Sequence, residues 1–364
     1  MNDNKRTIFI TGGAGYVGEM LCHQFSKRED VAKIITLDKE EQSDFSKQIP
    51  KLVYIKQNMA DVGWQTEVAK HAPDTVIHTA WQIRAMYGNP AEQWRWNVDG
   101  SKAIFDFAFA NPFVKRLVYF STASSYAAYP TNSLDHFYTE EEGFREDAYI
   151  YAKEKKVVEE SLKTIYDEAV VKGSYAPKVT VIRPAAITGP RGRYMRIRFG
   201  LQSALQGNLK GNPIYKVVTL LTAFVPATKT WVRQFIHEDD ITDAVAHFTF
   251  APIDWNYEVF NGTPTGEPVY AKDMAQAVGK KILPIYPWMA RIAFFFFWHA
   301  TRGKVPTCPG SWRFYSYPVL MSGEKLARVY HCQYNSKDAF KFTDGRYEEF
   351  IPAEKRLSKS EVGL

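Results

Sequence analysis

RTIFITGGAGYVGEMLCHQF, residues 6–25, passes in twenty residues from a β-branched and aromatic run, through a glycine cluster, into an amphipathic helical pattern. Within it TGGAGYVG (11–18) places Gly12 at the tight turn, Gly15 where backbone must approach a pyrophosphate, and Gly18 where a helix must pack closely on a sheet. The start of that helix offers backbone amides and a positive dipole end to phosphate groups. The next apolar run, AKIITLD (32–38), ends on Asp38, at the distance from the glycines where a dinucleotide fold carries its ribose-binding acid. A carboxylate there accepts hydrogen bonds from the adenosine 2′ and 3′ hydroxyls and repels a 2′-phosphate, so the expected cofactor is NAD. The neighbouring Lys39 is the one feature that argues for NADP.

Further buried-strand runs follow at KLVYIK (51–56), DTVIHTA (74–80), KRLVYFST (115–122) and KVTVIRP (178–184), with helical stretches such as 91–110 and 151–171 between them. Strands alternating with helices predict an α/β class: a doubly wound parallel sheet of Rossmann type, helices on both faces, with right-handed crossovers. The alternation fades after about residue 190. Residues 1–190 are therefore expected to form the NAD-binding domain, with 230–262 returning to it as a strand in WVRQFIH and a helix in EDDITDAVAHFTF. Residues 191–229 and 263–350 are expected to form a smaller substrate-binding lobe beside the strand C-termini, and 351–364 a polar tail.

Composition narrows the function classes. The 364 residues are 45% hydrophobic and 24% charged, which suits a soluble globular chain. A net charge of +6 without a dense basic block makes nucleic acid a poor partner. Cys22, Cys308 and Cys332 are far apart and form no CxxC, as expected of a cytoplasmic protein without zinc ribbon or disulfide scaffold. No HxxxH or acidic cluster suggests a metal. MNDNKRTIFIT has neither the apolar core nor the cleavage pattern of a signal peptide, and no stretch reaches the twenty or so apolar residues of a spanning helix. WMARIAFFFFWHA (288–300) is strongly apolar but short, and Arg291 interrupts it. Core packing is its first reading, because four consecutive Phe point in all directions around a helix. Peripheral membrane contact comes second, given the flanking Lys280, Lys281, Arg291, Arg302 and Lys304, and a dimer patch third.

YIYAKEK (149–155) holds two overlapping tyrosine–lysine pairs, Tyr149 with Lys153 and Tyr151 with Lys155. A spacing of four puts each pair on one helix face, where an ammonium lowers the pKa of a phenol and makes it a usable acid–base group. Spacing alone does not choose between the pairs.

Seven motifs in order make the chain resemble the extended short-chain dehydrogenase/reductase superfamily in its NAD-dependent epimerase/dehydratase branch. They are TGGAGYVG, DTVIHTAW (74–81), WNVDGSKAIFDFA (96–108), VYFSTASSYA (118–127), YAKEKKVVEE (151–160), VIRPAAITGP (181–190) and RQFIHEDDITDAV (233–245). The resemblance favours Tyr151 and Lys155, because Ala152 follows the tyrosine and Glu159 stands four residues after the lysine. It implies Tyr151 as the acid–base group, Lys155 as its cationic partner and ribose ligand, and Thr122 as the hydroxyl that orients the reacting oxygen. Ser124 and Ser125 are alternatives to Thr122. Cofactor contacts are implied at Gly12, Gly15, Tyr16, Val17, Gly18, Asp38, Asn58, Met59, Thr79, Ala80, Trp81, Asn97, Tyr151, Lys155, Pro184 and Ile187. Ser124 and Arg233 are implied on the substrate side. His78 and His237 are read as buried histidines.

The function expected is hydride transfer between a secondary alcohol or ketone of a small molecule and NAD. The alternatives are a nucleotide-sugar epimerase that keeps its NAD, a dehydrogenase resembling the 3β-hydroxysteroid enzymes, and a non-catalytic NAD-binding sensor. Dehydration ranks last, because Ala123 and Ser124 stand where dehydratases place Asp and Glu. TAFVPATKTWV, before Arg233, lacks the glycines that precede the diphosphate-gripping arginine in sugar-nucleotide enzymes. The resemblance also implies a homodimer built on helices 97–110 and 151–162.

Overall fold

A computed structural model of the chain describes residues 5–191, 213, 216, 224–277, 279–341 and 345–346. The expected polar tail at 351–364, and most of the apolar run 215–226, lie outside the described residues.

Seven strands form one sheet: β1 (Arg6–Thr11), β2 (Val31–Asp38), β3 (Leu52–Lys56), β4 (Thr75–His78), β5 (Arg116–Phe120), β6 (Lys178–Pro184) and, by a long return, Tyr257–Gly262. Their spatial order is Tyr257–Gly262, β6, β5, β4, β1, β2, β3. Every neighbouring pair is parallel. The strand order reverses between β1 and β4, and at such a switch point the strand ends diverge to leave a ligand crevice.

Alternation along the strands feeds two apolar layers. Ile8 and Ile10 face the helices Tyr16–Ser26 and Glu238–Phe250 and pack with Leu21, Phe25, Ile241, Val245 and Phe248. Phe9, between them, faces the opposite layer, with Trp64, Ile104, Phe107, Val158 and Leu162. This second layer is built by the helices Trp64–Ala69, Gly100–Ala110 and Ile150–Val171.

Two expectations need correction. WVRQFIH is not one strand. It breaks at Gln234 into Val232–Arg233 and Phe235–His237, which pair with different partners, Val269–Tyr270 and Ala186–Thr188. The cause is Gln234 itself, whose side-chain amide donates to the Met321 carbonyl at 2.9 Å and accepts from its amide at 2.7 Å. The core reading of the FFFF run is also only half right. In the helix Pro287–Ala300, Phe297 and Trp298 are buried, but Phe295 and Phe296 are 67% and 55% exposed. The helix lies on a surface, so its 100° step per residue turns part of the run outward.

Candidate active site

The glycine loop is held as a cradle. Gly12 has φ +81°, and a Cβ there would stand 2.8 Å from the Thr79 hydroxyl and 2.9 Å from the Ala80 backbone. A Cβ on Gly18 would lie 2.0 Å from the Gly12 carbonyl. Neither position admits a side chain, so bare backbone forms the floor beneath the crevice. The helix Tyr16–Ser26 begins at Gly15 with no side-chain cap, which leaves its first amides available to an anion. Asp38 accepts from the amides of Ala14 at 2.9 Å and Glu40 at 3.0 Å, which fixes its carboxylate beside the loop. Burial raises its pKa and those two amides oppose the rise. Lys39 pairs with Glu40 and lies 4.8 Å above the Trp96 ring, and its charge also favours the ionised Asp38. These residues fit a dinucleotide with a free ribose 2′-hydroxyl, which is NAD.

Around this cradle, Tyr16 and Ile187 share an apolar cluster with Val17 and Met20. Thr79 donates to the Thr11 carbonyl at 2.7 Å. Asn58 accepts from the Ala60 amide at 2.9 Å, while Met59 is buried against Gly100 and in the layer beneath the sheet. Pro184 closes β6. His78 lies between Thr11 and Ser101, at 2.7 and 2.8 Å, and burial holds its pKa well below the ordinary imidazole value. It is a neutral core histidine. His237 is buried as well, stacked on Tyr334 with ring centres 3.9 Å apart.

The two tyrosine–lysine pairs separate by burial. Lys153 is exposed and Lys155 is buried. Lys155 Nζ donates to the Phe120 carbonyl and sits 3.7 Å from the centre of the Trp81 ring. Trp81 in turn meets Tyr151 edge to face at 6.4 Å, and its indole N–H is buried without a hydrogen-bond partner among the described residues. Tyr151 hydrogen-bonds Thr122, whose own Oγ1 accepts from the Ser124 amide at 3.2 Å. Thr122, Tyr151, Lys155 and Trp81 are thus gathered at the C-terminal ends of β4 and β5, beside the glycine loop.

The electrostatics differ from the sequence expectation. Burial raises the Tyr151 phenol above its usual value, and the Thr122 hydrogen bond is the one opposing influence. Burial likewise drives the Lys155 ammonium well below its ordinary pKa, with Glu159 and Glu154 working against it. The ammonium is directed at a carbonyl and an indole face, so it does not make the phenol more acidic in this arrangement. Tyr151 rests protonated.

Sequence reasoning missed Glu154. It is buried, accepts from Asn97 at 2.7 Å and Gln93 at 3.1 Å, and keeps one oxygen without a partner among the described residues. Asn97 also clasps the Gln82 backbone, accepting from its amide at 2.8 Å and donating to its carbonyl at 3.1 Å. Glu154 carries no sequence signal, because it reads as one more charge on a polar helix face. Glu159 is committed to Arg183, which reaches it at 2.6 and 3.0 Å and also donates to the Tyr126 hydroxyl at 2.6 Å. That pair is part of the frame. Arg233 is different. It donates to the Val232 carbonyl at 2.7 Å and lies 5.3 Å from the Trp231 ring, with no carboxylate against it among the described residues. Burial lowers its pKa to about 10. No group of three His, Cys, Asp or Glu side chains among the described residues is placed to hold a metal ion.

A doubly wound parallel sheet, a bare glycine cradle at its switch point and an acid on the second strand define a dinucleotide-binding protein of the short-chain dehydrogenase type. A sequence model of the NAD dependent epimerase/dehydratase family matches residues 8–279, and the chain belongs to that family. No curated protein sequence matches it significantly. Among solved structures it is similar to the Bordetella bronchiseptica enzyme WbmG in complex with NAD, at 20% identity over 96% of both chains, TM-score 0.67. It is also similar to the UDP-glucose 4-epimerase of Thermotoga maritima, at 18% identity over 95% of this chain and all of that one, TM-score 0.65. A third is the dTDP-glucose 4,6-dehydratase of Bacillus anthracis, at 16% identity over 94% and 97%, TM-score 0.64. At these identities the likeness is one of fold.

Proposed function

We propose that the protein transfers hydride between NAD and a secondary alcohol or ketone carbon of a substrate that carries an anionic group. The observation that supports this most is the contact between Tyr151 and Thr122 with Lys155 one turn along the same helix. The Thr122 hydroxyl holds the reacting oxygen against the Tyr151 phenol. Tyr151 gives its proton to that oxygen in the reductive direction and takes it back in the oxidative one. Lys155, Asp38 and the glycine loop hold the dinucleotide, which supplies the hydride donor and acceptor when bound. Asn97 and Glu154 fix the helix turn that presents Lys155.

Arg233 supports the anionic group. A half-buried guanidinium with no carboxylate partner among the described residues is costly, and a phosphate or diphosphate offsets that cost. Arg233 is linked towards Tyr151 through Tyr315, its electrostatic neighbour, and the adjacent Phe314, whose ring lies 5.2 Å from that of Tyr149, itself 5.6 Å from the Tyr151 ring. A nucleoside-diphosphate sugar answers this chemistry and is the substrate class first in line. WbmG has been solved in complex with NAD and UDP. A second reading, an apolar ketone or sterol alcohol, is favoured by the aromatic wall of Trp81, Tyr149 and Phe314.

The test is Tyr151→Phe. Turnover should fall by about 10²–10⁴-fold, as for a lost general acid–base group, while the thermal shift produced by NADH stays intact. Unchanged turnover would remove Tyr151 from the chemistry; a lost NADH shift would make it a binding residue. UDP-sugars that add to the NADH shift in the wild type, and fail to add in Arg233→Ala, place the anion on Arg233. Apolar ketones adding in their stead would replace this substrate reading with the second.

A further inference from the structure

The helix Pro287–Ala300 carries a face that nothing described here covers. Among the described residues fourteen large hydrophobic side chains are more than a third exposed, and seven of them fall between Ile282 and Phe296. Singly scattered apolar side chains need no explanation, but a contiguous group does. Trp288, Ile292, Phe295 and Phe296 stand at i, i+4, i+7 and i+8, which makes one stripe along the helix, 55–67% exposed. Tyr286, at 67%, extends it at the N-terminal end. The opposite face is committed: Ala290, Phe297 and Trp298 are buried, Phe294 packs on Tyr315 and Trp298 on Tyr87.

Charge says what the stripe is built to meet. From residue 274 to residue 323 the chain has no Asp or Glu, and it has six cations: Lys280, Lys281, Arg291, Arg302, Lys304 and Arg313. The whole chain has 46 Lys and Arg against 40 Asp and Glu, so the remainder holds 40 of each and this segment supplies the entire net charge of +6. Lys281, Arg291, Arg302 and Lys304 are exposed. A second protein surface that complements an apolar stripe needs no such excess. A bilayer with anionic headgroups needs both parts, aromatic and aliphatic side chains at the headgroup boundary and cations at the phosphates. The helix cannot span, since fourteen residues reach about 21 Å at 1.5 Å each. No helix among the described residues is long and apolar enough to cross a membrane.

We propose that the exposed stripe of Pro287–Ala300 docks in the plane of an anionic lipid bilayer. The stripe then sits above the substrate side of the crevice. The helix Ser311–Ser316 packs beneath it, and Phe314 on that helix meets Tyr149, whose ring is 5.6 Å from that of Tyr151.

Full-length protein is sedimented with vesicles of phosphatidylcholine alone and with vesicles containing 30% phosphatidylserine. The bound fraction should be at least tenfold greater on the anionic vesicles and should fall in 0.5 M NaCl. Ile292→Ser/Phe295→Ser/Phe296→Ser and Lys281→Glu/Arg302→Glu/Lys304→Glu should each abolish the difference while keeping the wild-type NADH thermal shift, which shows that the fold is intact. Tryptophan fluorescence should be quenched by brominated lipid, and less so in Trp288→Phe. Equal recovery with and without vesicles would overturn the proposal. So would wild-type self-association that the serine variant relieves, since a second copy would then be what covers the face. Catalysis on a soluble UDP-sugar is independent of either result.

Discussion

Lys155 concentrates the conflict between stability and chemistry at the scale of one side chain. Its ammonium is buried against one carbonyl and an indole face, and burial lowers its pKa well below the ordinary lysine value. The unfolded chain keeps that proton up to a pH near 10.4. Between the two values the unfolded state binds the extra proton, so stability from this group rises with pH and at neutral pH the buried amine is a cost. Lys155→Met should therefore raise the thermal midpoint at pH 7, by about 1–2 °C if about 1 kcal/mol is relieved, with the gain shrinking towards pH 10. Turnover should fall at least 10²-fold. Calorimetry of both proteins across that pH range checks the sign, and a lower midpoint for the variant would show that the ammonium stabilises the fold. Trp81 adds a second constraint, since its ring centre lies 3.7 Å from Nζ and keeps the amine from swinging free.

At the scale of the element, the helix Ile150–Val171 is divided by its two faces. Its inner face bears Lys155 and the buried pair of Glu159 with Arg183, and the outer face bears Lys153 and Glu160 in solvent. Removing one partner of a buried, bidentate pair strands the other charge without water. Glu159→Ala should cost about 3–5 kcal/mol in urea unfolding, and Glu159→Leu with Arg183→Met should recover most of it. A loss below about 1 kcal/mol would mean that water reaches the pair. Because Arg183 also holds the Tyr126 hydroxyl and the Glu140 carbonyl, the same substitution should loosen the loop that leads to Tyr149.

For the whole molecule, the surface separates into a polar Rossmann half and the cationic, apolar rim around Pro287–Ala300. On the helices Gly100–Ala110 and Ile150–Val171, Lys102, Asp106, Lys153 and Glu160 face out, and the only large apolar side chains well exposed are Val170 and Val171 near the end. The homodimer that the family resemblance implies would use these helices through polar contacts, which salt screens. Light scattering should then give twice the chain mass at low ionic strength and a falling mass in 0.5 M NaCl. A single-chain mass under both conditions would remove the dimer.

The Rossmann sheet was legible in the sequence because its signals are local. Six apolar runs, the glycine loop and Asp38 each announce themselves within ten residues, and β1 to β6 lie within two residues of where those runs place them. The seventh strand, Tyr257–Gly262, was not legible, since a short edge strand is defined by its pairing with β6 and not by its own pattern. The same holds for the break at Gln234, which Met321 causes from 87 residues away. The sequence by itself determined the fold class, the cofactor cradle and the residue types available for proton transfer, all properties of contiguous patterns. Only the tertiary structure decided that Lys155 and not Lys153 is buried, that burial raises the Tyr151 phenol with Thr122 alone opposing it, and that half of the FFFF run faces outward, because burial depends on what the rest of the chain packs against each side chain.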